Sequence, residues 1–174
     1  MSICSEMTHS FPMIRAGGLF ILIMGVGVAL GSFFSAQRRL LLALGGGAAT
    51  IAIVLSAGAL SRPFGEPSHL QLWALGGSIL LEMVLISFVV AVYKSAGERV
   101  FLLAILFVVG IHFIPMALAF GPLCVVLAIC AMVNAGLGLW VFRGARVNYI
   151  WLADGILKIA FGACMLWIIG ICGT

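Results

Sequence analysis

The 174 residues suffice for one domain, but a chain that is 64% hydrophobic and 8% charged, with a mean hydropathy of +1.32, is excluded from the water-soluble globules. Apolar runs recur along its whole length, each matching the roughly 20 residues that cross a hydrocarbon layer about 30 Å thick. Its net charge of +4 comes from scattered Lys and Arg residues that never form a basic stripe, so nucleic acid is not expected as a partner.

Cutting the chain at its charges and turn residues predicts an all-α, polytopic integral membrane protein. A single transmembrane domain over residues 1–174 holds six helices in a compact bundle, at about 14–35, 39–60, 70–93, 99–120, 122–142 and 148–171. No ten-residue alternation of the barrel kind competes with this reading, and a helix satisfies its own backbone in lipid. The first run is too long for a signal-peptide core and lacks a basic leader. The small-residue site after it, "SFFSAQ", carries Phe34 at the −3 position, so the run is expected to be retained as a span.

Within that span Gly27, Gly31 and Ser35 recur at spacing four and predict a smooth groove; the second span carries "GGG" at 45–47. These surfaces serve either packing within one chain or a homo-oligomer interface. The links "AQRR", "SRPFGEPSH", "KSAGE", "GP" and "RGARV" are too short to fold as extramembrane domains. Arg38, Arg39, Lys94, Arg99, Arg143 and Arg146 fall on one side, Arg15 and Arg62 on the other. The positive-inside rule then puts both termini on the outer, non-cytoplasmic side of a multi-pass cell-membrane protein, read as one of a bacterial inner membrane.

Five polar side chains interrupt the later spans. Glu82 lies in "GGSILLEMVLISF" of the third, His112 in "IHFIP" of the fourth, Asn134 in the fifth, and Asp154 with Lys158 in "WLADGILKIAFGACML" of the sixth. At about 1.5 Å per residue, all five fall in the middle part of the bilayer. A charge there costs at least about 2.5–3.5 kcal/mol to insert, so each must be neutralised, paired or hydrated.

Asp154 and Lys158, four apart on one helix face, are expected to pair, either guarding a hydrated cavity or anchoring the sixth span. Glu82, with Ser78 one turn back as its neighbour, is either a proton-coupling group or an interhelical tie to Lys158 or His112. His112 is either a proton relay or a ring bonded to a backbone carbonyl. Pro115 frees the carbonyl of Ile111 and is the expected hinge of the fourth span. Asn134 shares a face with Cys130 and Gly138 and reads as interhelical glue or as a cavity-lining donor. The stretches around His112 and Asp154 resemble features of small bacterial six-span proteins of uncharacterised function, a likeness that implies no activity.

Catalytic constellations, phosphate loops and zinc spacings are missing from the sequence, and a membrane-embedded enzyme is only the third reading, disfavoured because no loop is able to carry a recognisable catalytic group. Cofactor and metal sites are not expected either. His112 has no evident axial partner, and the soft ligands of the outer tail, Cys4, Met7, His9 and Met13, fit no defined spacing. Cys4, Cys124 and Cys172 all project to the outer side, where two of them have the opportunity to pair. Trp73, Trp140, Trp151 and Trp167 lie toward span ends as interfacial anchors.

Two classes of function fit. One is a small transporter or channel with a mid-membrane polar cavity, its partners being the bilayer, a small polar or ionic substrate and protons. The other is a non-transporting accessory, sensor or scaffold subunit that binds a membrane protein or a second copy of itself.

Overall fold

A computed structural model describes residues 10–61 and 66–172, and the regular elements among them are all helical. They are α1 (Ile14–Phe33), a short 3-10 turn (Ser35–Gln37), α2 (Arg38–Ser61), α3 (His69–Tyr93), α4 (Glu98–Phe120), α5 (Leu123–Trp140) and α6 (Val147–Cys172). The helices coincide closely with the segments predicted from sequence. Among the described residues, α1, α3, α4, α5 and α6 are long and apolar enough to cross a bilayer, which makes this a helical membrane protein.

Helix ends are set by local chemistry. Ser68 opens α3 with a capping box: its hydroxyl accepts from the Gln71 amide at 3.3 Å, and the Gln71 side-chain oxygen accepts from the Ser68 amide at 2.9 Å. The Gln71 side-chain nitrogen then donates to the Ser10 carbonyl at 2.8 Å, tying the start of α3 to the segment before α1. Between α4 and α5 the chain reverses at Gly121-Pro122. Gly121 has φ +97°, a conformation that glycine adopts without strain. At the other end of α5, the Arg99 guanidinium donates to the carbonyls of Gly138 at 2.7 Å, Phe142 at 2.6 Å and Ala145, satisfying acceptors that the helix terminus leaves open.

Neighbours run in the order α2, α1, α6, α5, α4, α3. The most extensive packing is between α1 and α6, and glycines explain it. A Cβ added at Gly25 would sit 2.7 Å from the Ile159 nitrogen, one at Gly155 2.7 Å from the Ala29 nitrogen, and one at Gly162 2.6 Å from the Leu22 nitrogen. Between helices in lipid, where no hydrophobic effect drives association, such backbone approach supplies the attraction through dispersion.

Gly27 meets Gly45 of α2, so the first-span groove is used inside the chain. Ser35 lies beyond α1, in the 3-10 turn. Gly110 plays the same part between α4 and α5, against Met132 and the Ala128 carbonyl.

α1 packs on α2 and α6 as α4 packs on α5 and α3, the same adjacency recurring three helices later. One junction breaks the pattern. α5 and α6 pack together, whereas their counterparts α2 and α3 make no extended contact along the described residues and leave an open seam.

Two apolar layers form the core. Toward the Gly121 turn, Ile14, Ile21, Phe120, Leu127 and Met165 are buried together; toward the opposite end, Val28, Leu103, Leu106, Ile150 and Trp151 are. Arg38, Arg39, Lys94, Arg99 and Arg146 line adjoining recesses at that opposite end, hereafter the charged end. Trp151 departs from expectation. It is a 2%-exposed core residue with the Arg38 guanidinium 4.9 Å from its ring, because α6 turns that face inward, whereas Trp73, Trp140 and Trp167 are exposed as anchors would be.

Candidate functional site

Between the two apolar layers the expected polar residues do gather, but in separate groups. Glu82 of α3 and His112 of α4 face each other, Glu82 Oε2 lying 3.9 Å from His112 Nε2. The His112 side chain is 5% exposed and that of Glu82 31%. Ser78, the neighbour expected on the same helix, spends its hydroxyl on the Leu75 carbonyl at 2.7 Å, so Glu82 receives no hydrogen bond from it.

What exposes Glu82 is a cleft of about 190 Å³ on the Gly121 side of the seam. Phe20 of α1, Thr50 and Val54 of α2, Leu75 and Ile79 of α3, and Met116 and Phe120 of α4 form its walls, with Glu82 and His112 as the ionisable lining. The Thr50 hydroxyl is turned to the Gly46 carbonyl at 2.9 Å, which leaves the walls almost wholly apolar. His112, Met116 and Phe120 form a stripe at spacing four on α4. Leu75, Ile79 and Glu82 form a matching stripe on α3.

Behind this cleft, Lys158 and Asp154 form an ion pair one turn apart on α6, with side chains 2% and 0% exposed. The seal over them comes from α1 and α4. A Cβ at Gly25 would lie 2.8 Å from the Lys158 Cβ, and Lys158 Nζ stands 5.7 Å from the centroid of the Phe113 ring. That ring also lies 4.3 Å from the His112 ring and so separates the two groups. Among the described residues, Asp154 Oδ1 and Trp151 Nε1 on α6, and His112 Nδ1 on α4, are buried without a hydrogen-bond partner.

Asn134 stands apart from both pairs. Its side-chain nitrogen donates to the Ile150 carbonyl at 2.9 Å and ties α5 to α6, which is the glue reading. Pro115 sits inside α4, and the helix continues through it. Its missing N–H leaves the Ile111 carbonyl, next to His112, without its usual helical donor. Cys124 is buried as a free thiol near the Gly121 turn. Cys4, Met7, His9 and the Cys172 side chain lie outside the described residues.

Chemically, a carboxylate and an imidazole in near contact can share a proton, and the cleft leaves the carboxylate open to whatever enters it. The sequence showed both groups but not the cleft, whose walls are ordinary apolar residues. Their only signal was the spacing-four stripe running from His112. No curated protein and no solved structure matches the chain. Residues 5–170 match one family model, described as a family of unknown function (DUF6609), and the chain belongs to that family.

Proposed function

We propose that this protein is a small membrane transporter that exchanges protons at the Glu82–His112 pair. The observation that carries the reading is the cleft itself: an apolar recess that ends on two ionisable side chains from different helices, between the two core layers. A merely structural carboxylate gains nothing from such access, whereas a proton-coupling one requires it. The solute that suits these walls is small, with an apolar body against Phe20, Met116 and Phe120 and a cationic or hydrogen-bond-donating group toward Glu82.

In this reading six helices span the membrane. The charged end faces the cytoplasm and both termini face outward, in a bacterial inner membrane. Alternating access would open the α5–α6 junction as the α2–α3 seam closes, which the repeated adjacency of the two halves supports. Pro115, one turn from His112, is the place for α4 to bend.

The test is relaxation of an imposed pH gradient across liposomes, read by an internal pH-sensitive dye, with a small quaternary ammonium ion supplied on one side as the solute and K+ with valinomycin present to balance charge. Protein-containing liposomes are expected to relax faster than empty ones, and Glu82→Gln to return the rate to background without loss of folded protein. Equal rates in protein-containing and empty liposomes, or in wild type and Glu82→Gln, would overturn the reading.

A specific observation favours a second reading, that of an accessory subunit. Among the described residues, α3 is the least buried of the five apolar spans, and Gly76 and Gly77 on it have no neighbouring atom within 4 Å of an added Cβ, as a surface awaiting another helix would. Protein that co-purifies from its native membrane at fixed stoichiometry, and fails to relax the gradient alone, would favour it.

A further inference from the structure

The seam between α2 and α3 also opens at the charged end, where it widens into a second cleft of about 630 Å³. Leu42, Leu102, Ile105 and Trp151 are among its apolar walls, and Arg38, Arg39, Lys94 and Glu98 stand at its rim. These cations differ in what they already hold. Arg38 is buried and committed, its Nε donating to the Gly31 carbonyl at 3.1 Å and a terminal nitrogen to Asn148 Oδ1 at 2.5 Å. Glu98, the one carboxylate of the rim, acts electrostatically on Arg38. Arg39 on α2 and Lys94 on α3 are exposed, and neither has a hydrogen bond or ion pair among the described residues.

We propose that this end of the seam binds an anionic phospholipid, its phosphate held between Arg39 and Lys94 and its acyl chain lying in the cleft. The occupant follows from charge and shape together. Three cations against one carboxylate at the rim call for an anion. The apolar depth beyond them has no use for a free phosphate but accommodates a hydrocarbon chain entering sideways from the bilayer, because α2 and α3 do not close over it. Basic groups beside a recess between helices, at headgroup level, are the usual means by which such lipids are held. The site shares no residue with the Glu82 cleft, so it stands or falls independently of transport.

The test is native mass spectrometry of the detergent-purified protein, titrated with phosphatidylglycerol or with phosphatidylcholine of the same acyl chains, and with glycerol phosphate as a headgroup-only competitor. Wild type is expected to prefer phosphatidylglycerol about ten- to thirtyfold, the effect of two unpaired cations near a membrane surface. In Arg39→Gln/Lys94→Gln the preference should fall to near parity, while Arg143→Gln, at the same end but outside the cleft, should keep it. Glycerol phosphate should not compete. Equal binding of the two lipids by wild type overturns the proposal, and so does a preference that survives the double substitution or is lost equally in Arg143→Gln. Competition by glycerol phosphate at matching concentration reassigns the rim as a free-anion site and equally overturns the lipid.

Discussion

Two ionisable pairs occupy the same level of this bundle and are built in opposite ways. Asp154 and Lys158 sit one turn apart on a single helix, buried and capped by Gly25 and Phe113. Glu82 and His112 come from different helices, hold each other at 3.9 Å rather than in a close bond, and face an open cleft. The first pair cancels its own charge wherever α6 goes and needs nothing from outside. The second depends on how α3 and α4 are placed and is open to what enters the cleft. Similar position in the bundle therefore goes with very different access: one pair is sealed and the other is open.

The largest effect separating the two should come from Lys158. Lys158→Ala strands Asp154, whose Oδ1 already lacks a partner, and breaking a buried pair from one side costs about 3–5 kcal/mol. Folded yield in detergent should collapse. Asp154→Asn/Lys158→Met, which removes both charges and keeps volume, should recover most of it. Losses that simply add in the double variant would show that the two side chains are not coupled.

The seal over that pair comes next. Gly162→Val places a side chain against the Leu22 backbone at the closest α1–α6 approach, and overpacking of this kind costs about 1–3 kcal/mol. The thermal midpoint in detergent should fall accordingly, whereas Gly76→Ala on α3, where nothing lies near, should leave it unchanged or slightly raised. Asn134→Ala is milder. It removes one interhelical bond to Ile150, an interaction averaging about 0.6 kcal/mol in membrane bundles. A loss as large as that of Lys158→Ala would place Asn134 in the polar network instead of outside it.

How much of this was legible follows from the kind of signal each feature leaves. Helix positions were readable because lipid permits no unsatisfied backbone, so a run of apolar residues bounded by charges has one outcome. The Asp154–Lys158 pair was readable because spacing four on a helix fixes contact. Glu82 meeting His112 was one of two ties open for Glu82, since which helices neighbour each other is a property of packing.

The glycines that decide that packing were the harder part. Spacing four drew attention to Gly27 and Gly31, yet the tightest helix contact is made at spacing seven, by Gly18 and Gly25 on α1 against Gly155 and Gly162 on α6. Trp151 was misplaced for a related reason. A tryptophan near a span end is an anchor or a core residue according to which face of the helix meets a neighbour.

The smallest expected change in stability is the most informative one. Glu82→Gln keeps the shape of the side chain, removes its charge and takes away no close hydrogen bond, because His112 is 3.9 Å off and Ser78 is turned elsewhere. With no close bond lost and a mid-membrane charge removed, the thermal midpoint of Glu82→Gln should stay at or slightly above that of wild type. Asp154→Asn, the same chemical change in the sealed pair, should lower it sharply by leaving Lys158 uncompensated. If instead the two substitutions cost the same, Glu82 is a structural tie like Asp154, and its opening to the cleft has no bearing on protons.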